Sequence, residues 1–160
     1  MMSVLSKLLD EIKITESSGD LNTQVSGVTD NSREVKDKYI FACMPATYES
    51  PYASWTYRTD GHDYIANAID NGASVILVQK PLSEINQKNG VTFIRVDDTR
   101  IALAKVSASF YDYPSRKLLM VAVTGTNGKT STCYLSKSML SFGGKNTAIL
   151  GTIVQRVGGK

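Results

Sequence analysis

Apolar positions along this chain fall into short blocks that switch between two periods. The runs at 25–29, 39–44 (YIFACM), 75–78, 91–96 and 118–123 are too short for helices and predict buried strands. Between them the spacing becomes helical. A helix opening at Gly61-His62-Asp63-Tyr64 carries Ile65, Ala68 and Ile69 on one stripe and stops at Gly72. Asp97-Asp98-Thr99 caps a second, predicted to run to about Tyr113 with Ile101, Ala104, Ala108 and Tyr111 on one side. Pro114 ends it. A third spans 130–142, with Leu135, Met139 and Phe142 at helical spacing, and Gly143-Gly144 leads to a strand at 146–151. At the start, Ser3 caps a short helix facing inward through Leu5, Leu8, Leu9 and Ile12, and the polar stretch 14–22 reads as a turn. Strands alternating with helices predict an α/β fold with a largely parallel sheet.

One segment has no period. Residues 45–60, PATYESPYASWTYRTD, hold Pro45, Pro51, the only tryptophan and three tyrosines. A loop of this length is usually functional or mobile. Its aromatics could stack on a base or pack back on the domain.

Composition narrows the function classes. A hydrophobic fraction of 42% in 160 residues supports a packed core. A net charge of +3 without a basic run argues against nucleic-acid or membrane binding. No apolar stretch approaches the twenty residues of a membrane helix. Lys7, Asp10 and Glu11 interrupt the N-terminal pattern, so it does not read as a secretory signal. Cys43 and Cys133 read as small buried hydrophobes, and a reducing cytoplasm is expected. The single histidine, His62, reads as a helix-start packing residue. Asp30-Asn31-Ser32-Arg33, by local chemistry alone, reads as an Asx or Ser turn.

The chemistry concentrates at LLMVAVTGTNGKTS, residues 118–131. An apolar run breaks into Gly125-Thr126-Asn127-Gly128-Lys129-Thr130 and then a helix. Two glycines let backbone N–H groups approach a polyanion. Lys129 supplies a point charge for phosphate, and the Thr130 hydroxyl suits a phosphate-bound Mg2+. This is a P-loop arrangement, although Val123 stands where the general pattern has its first glycine. Further parallel strands and a second magnesium-binding acid are expected of such a domain. The chain therefore reads as one small domain, 1–97, and the opening of a second, 98–160.

Several stretches together resemble the N-terminal part of a Mur ligase of the UDP-N-acetylmuramoyl-tripeptide synthetase type. They are Ser32-Arg33-Glu34-Val35 with YIFACM, GHDYIANAIDNGA, FYDYPSRKL, VTGTNGKTS and AILGTI, in the family's order over nearly the whole chain. The resemblance implies a small N-terminal α/β UDP-binding domain followed by the start of a P-loop central domain. It implies an ATP- and Mg2+-dependent amide ligase of peptidoglycan synthesis. Such enzymes add L-lysine or meso-diaminopimelate to UDP-N-acetylmuramoyl-L-alanyl-D-glutamate through an acyl phosphate. Gly125, Thr126, Asn127, Gly128, Lys129, Thr130 and Ser131 would then bind ATP, with Lys129 and Thr130 catalytic and Thr130 on the metal. Ser32 falls on the family's uridine-contacting serine, and Arg33, Ala46, Thr47 and Thr152 are further UDP-substrate candidates. Gly61, His62 and Asp63 match a signature that builds the domain. Asn31 stands where the family commonly has aspartate, and the 45–60 segment is longer than usual. By this resemblance the chain alone would not turn over. A non-catalytic nucleotide-binding regulatory module, or another Mur or folylpolyglutamate-type ligase, is the alternative.

Overall fold

The computed structural model describes residues 2–49, 54–56, 59–151 and 155–158. They form two compact units, Met1–Lys117 and Leu118–Lys160. The fold class is mixed α/β, as the alternating pattern predicts.

In the first unit the strands are β1 (Ser3–Val4), β2 (Ile14–Ser18), β3 (Gln24–Val25), β4 (Gly27–Thr29), β5 (Tyr39–Ala42), β6 (Thr47–Glu49), β7 (Ser54–Thr56), β8 (Ala73–Val78) and β9 (Thr92–Val96). The helices are α1 (Leu5–Leu8), α2 (Ile65–Asp70) and α3 (Thr99–Phe110). The central sheet has the order β2-β9-β8-β5-β4. β4, β5, β8 and β9 run parallel, and β2 pairs antiparallel with β9 at the edge.

Alternation along the parallel strands sorts their side chains onto two buried faces. Ile40, Ala42, Val75, Leu77, Ile94 and Val96 meet α1 and α3 on one face. Phe41, Cys43, Ile76, Val78 and Phe93 meet Ile65 and Ala68 of α2 on the other. This two-faced burial is why Ile40–Cys43 and Val75–Val78 read as unbroken apolar runs, whereas Arg95 interrupts β9.

Four elements differ from the sequence expectation. The polar stretch 14–22 contains β2, because an edge strand with exposed Thr15, Ser17 and Ser18 shows little hydrophobicity. Ser3 lies in β1, and Val4 precedes α1 without any side-chain cap. The buried stripe of α3 is Thr99, Ala102, Val106 and Phe110, while Ile101 and Tyr111 are more than half exposed. The aperiodic 45–60 segment includes an antiparallel hairpin, β6 with β7, whose Thr, Tyr and Trp residues favour strands. α3 buries its stripe on the first sheet, and the first compact unit runs to Lys117.

The second unit contains α4 (Lys129–Phe142), β10 (Ala148–Leu150) and β11 (Gln155–Val157). β10 pairs antiparallel with β11, so the expected parallel β-α-β unit is not formed among the described residues. Among the described residues the 118–123 run pairs with no strand, and Leu118, Leu119, Met120 and Val121 are exposed. On α4, Leu135, Met139 and Phe142 are exposed as well, and no residue of the helix is buried. A parallel strand is stable only between neighbours, and none of the described strands supplies them.

Candidate functional site

The parallel strands β4 and β5 release the chain at the same end of the sheet, the carboxyl end where open α/β sheets bind ligands. After β4 the chain turns through Asp30-Asn31-Ser32-Arg33. Asn31 Oδ1 accepts from the Arg33 backbone N–H at 3.2 Å, and its Nδ2 donates to Glu34 Oε1 at 3.0 Å. Asn71 Nδ2 donates to the Ser32 carbonyl at 2.9 Å. The Asx turn predicted from local chemistry is thus present, and Asn31 makes it. Its consequence is that Ser32, 8% exposed, and Arg33 line a cleft of about 390 Å³. Asp30, Phe41, Met44, Thr59, Gly61, Tyr64 and Arg100 also line it.

The opposite wall is a neck. The Gly61 N–H donates to the Met44 carbonyl at 2.7 Å, tying the two ends of the 45–60 segment together. A Cβ at position 61 would lie 2.5 Å from Met44 N and 2.8 Å from Met44 O. Only glycine allows this approach, which explains the glycine of the Gly-His-Asp motif.

His62 locks the neck to the core, as its sequence context suggests. Asp60 Oδ1 accepts from the His62 backbone N–H at 2.9 Å and lies 2.6 Å from Nδ1. Nε2 accepts from the Gln79 N–H at 3.2 Å. Lys80 pairs with the other Asp60 oxygen at 3.1 Å. Burial acts to raise the Asp60 pKa, but the hydrogen bonds from His62 and Lys80 outweigh it and hold the carboxyl below its ordinary value. A depressed acid stabilises the fold above its unfolded value and loses that contribution as pH falls through the folded one. Stability from this group should therefore be complete at neutral pH and decline below about pH 4. Asp60→Asn is expected to lower stability at pH 7 by on the order of 1 kcal/mol. It should also flatten the acid limb in urea unfolding measured from pH 7 down to 3.

Burial, with the Asp60 charge second, pushes the Cys43 thiol up, so it stays protonated and inert. Cys133 is partly exposed, and both cysteines are free. A larger cleft of about 460 Å³ lies between α2 and the 80–88 connection. Its lysines, Lys80 and Lys88, are already paired with Asp60 and Asp70. The smaller cleft, with Ser32 and two arginines, is the better nucleotide candidate.

The expected Ala46 and Thr47 are not among the described lining residues. Ala46 is half-buried, and Thr47 opens the hairpin. Thr152 lies outside the described residues. Phe41, Met44 and Tyr64 lie in stretches that read as a buried strand and a helix start, and Arg100 carries no motif, so none of the four was singled out as a site residue.

In the second unit the phosphate-loop residues are exposed and contiguous. Gly125 and Gly128 have φ of 142° and 78°, values that favour glycine. Nothing lies within 4 Å of a Cβ built on Gly128. Gly128 precedes α4 without a side-chain cap, so no side chain competes for its first N–H groups. Lys129 Nζ donates to the Gly125 and Thr126 carbonyls, folding back across its own loop. An open cradle, an uncapped 14-residue helix and a lysine on the loop fit a bound polyphosphate.

A family model described as "Mur ligase family, catalytic domain" matches residues 52–111. A UDP-N-acetylmuramoyl-L-alanyl-D-glutamate--2,6-diaminopimelate ligase of Clostridium acetobutylicum is 36% identical over 156 residues, 98% of this chain. The chain carries a Mur ligase family domain. A Mur ligase with the same 2,6-diaminopimelate name from Caldanaerobacter subterraneus is 36% identical over 99% of the chain. The chain spans only about 30% of the length of these relatives. A crystal structure of MurF from Acinetobacter baumannii shares the fold, with a TM-score of 0.64 over 89% of this chain and 28% of its own, at 23% identity. Among the described residues no helix is long and apolar enough to cross a membrane.

Proposed function

We propose that this chain supplies the uridine-nucleotide cleft and the phosphate loop of an ATP-dependent amide ligase of peptidoglycan precursor synthesis, acting in the cytoplasm. The substrate would be UDP-N-acetylmuramoyl-L-alanyl-D-glutamate. The amino acid would be 2,6-diaminopimelate, for which the relatives in Clostridium and Caldanaerobacter are named. The observation that carries the reading is the convergence of Ser32 and Arg33 on one cleft, in a chain that matches these ligases nearly end to end.

The proposed roles rest on the cleft around Ser32 and on the open loop before α4. Ser32 and Arg33 hold the nucleotide end of the substrate. The N–H groups from Gly125 to Gly128 and the start of α4 hold ATP phosphates. Lys129 leaves its two loop carbonyls and neutralises charge on the transferring phosphoryl group. Thr130 offers its hydroxyl to Mg2+, and Ser131 stands next to it. When bound, the ion supplies charge neutralisation between phosphates. The substrate carboxylate takes the γ-phosphoryl group of ATP as ADP leaves, the amine attacks the resulting acyl phosphate, and phosphate leaves with loss of the amine proton. The chain contributes positioning and charge to this sequence, and no acid–base group is required of it.

A calorimetric titration with UDP-N-acetylmuramoyl-dipeptide tests the first part. Saturable binding is expected, weakened roughly 3- to 10-fold in Ser32→Ala, as for one lost hydrogen bond. In an active ligase the same substitution should raise KM and spare kcat, the mark of uniform binding. Unaltered binding in Ser32→Ala would remove Ser32 from the site.

A further inference from the structure

The described residues of the cleft include two cations, Arg33 and Arg100, against one carboxylate, Asp30. Arg33 sits on the turn after β4. Arg100 comes from a different layer, the first turn of α3. That helix is fixed at the cleft by Thr99, whose buried hydroxyl lies 2.8 Å from the Cys43 carbonyl and 2.9 Å from Gln79 Oε1. Cys43 immediately precedes Met44, which lines the cleft and holds the neck.

A helix start at a cleft could bind an anion through its own N–H groups. Here it does not offer them. Asp98 accepts from the Arg100 and Ile101 N–H groups at 2.7 and 3.2 Å, and its charge opposes a second anion. The positive element that α3 delivers is therefore the guanidinium of Arg100. A guanidinium keeps its charge and gives charge-assisted hydrogen bonds to phosphate oxygens, in a planar geometry that an ammonium does not share. Asp30 is chemically suited to ribose hydroxyls, and Tyr64, Phe41 and Met44 give an apolar wall for a base.

Building on the uridine-nucleotide reading above, we infer that Arg100 is a phosphate-binding residue that works with Arg33 on the diphosphate of the nucleotide. The cleft then recognises a nucleoside diphosphate as such, and the arginine pair sets its preference for diphosphate over the bare nucleoside. Arg100 also interacts within the chain, so a purely structural role has to be separated from a phosphate role.

The test titrates the chain with uridine, UMP and UDP, in wild type, Arg100→Gln and Arg100→Lys. Wild type should bind UDP at least about tenfold more tightly than uridine, as expected for charge-assisted hydrogen bonds. Arg100→Gln should erase most of that gain while uridine affinity changes less than about twofold. Arg100→Lys should keep part of the gain, because charge remains while the planar guanidinium is lost. Equal weakening of uridine and UDP in Arg100→Gln would show a structural strut and overturn the assignment. An unchanged ratio would overturn it too. Uridine binding with no gain from phosphates defeats Arg100 alone, whereas wild type binding none of the three defeats the uridine reading beneath it.

Discussion

Lys129→Ala is expected to reduce kcat of the ligase by about 10²- to 10³-fold, the loss typical when one preorganised charge on a transition state is removed. The ammonium group rests on the Gly125 and Thr126 carbonyls, so it is held on the loop where phosphate would lie. Those carbonyls belong to exposed residues, and water can replace the lysine there. The substitution should therefore leave the thermal midpoint and the affinity for UDP-N-acetylmuramoyl-dipeptide nearly unchanged. Single-turnover phosphoryl transfer, measured beside those two controls, checks this. Near-normal turnover would mean that this loop does not hold the transferring phosphate.

Gly61→Ala should destabilise the first unit by about 3 kcal/mol, the upper part of the usual overpacking range. The new Cβ would press on the backbone N, O and preceding carbonyl carbon around Met44, none of which can rotate away. Relief requires opening the 2.7 Å hydrogen bond from Gly61 to Met44. Since Met44 and Gly61 both line the cleft, nucleotide affinity should fall together with stability. Urea unfolding and a UDP titration on the same variant measure the two losses. A stable variant with weak binding would separate the cleft from the fold and contradict the neck's double role.

The sheet was legible because its strands are buried on both faces. Ile40 to Cys43 and Val75 to Val78 read as apolar runs for the same reason that they pack, and so do the apolar residues Phe93, Ile94 and Val96 around Arg95. β2 was not legible, since an edge strand of Ile-Thr-Glu-Ser-Ser gains its order from pairing with β9 rather than from burial. The face of α3 was misjudged because Ile101 and Tyr111 are apolar yet exposed, while buried Thr99 counts as polar in any periodicity argument. In the cleft, Ser32 and Arg33 were found through family likeness; local chemistry alone gave only the turn that Asn31 indeed makes. Tyr64 and Arg100 reach the same cleft through the topology of the sheet, which no local pattern encodes. The glycine turn at 125–128 and the helix after it were legible, because their signals are contiguous in the sequence. The apolar run before that turn looked like a buried strand, but burial needs neighbours that lie outside a local pattern.

The neck between Met44 and Gly61 also bears on how this part of the chain can change over evolutionary time. A segment joined at its base by a backbone hydrogen bond passes none of its length on to the sheet. Closing a longer flexible segment across the same neck adds only about 0.6 kcal/mol per doubling of its length. Insertions and deletions there should be accepted almost freely by the core, provided residue 61 stays glycine. Relatives can then differ in the length of chain between residues 44 and 61 while sharing one scaffold, so that length and the fold can evolve independently.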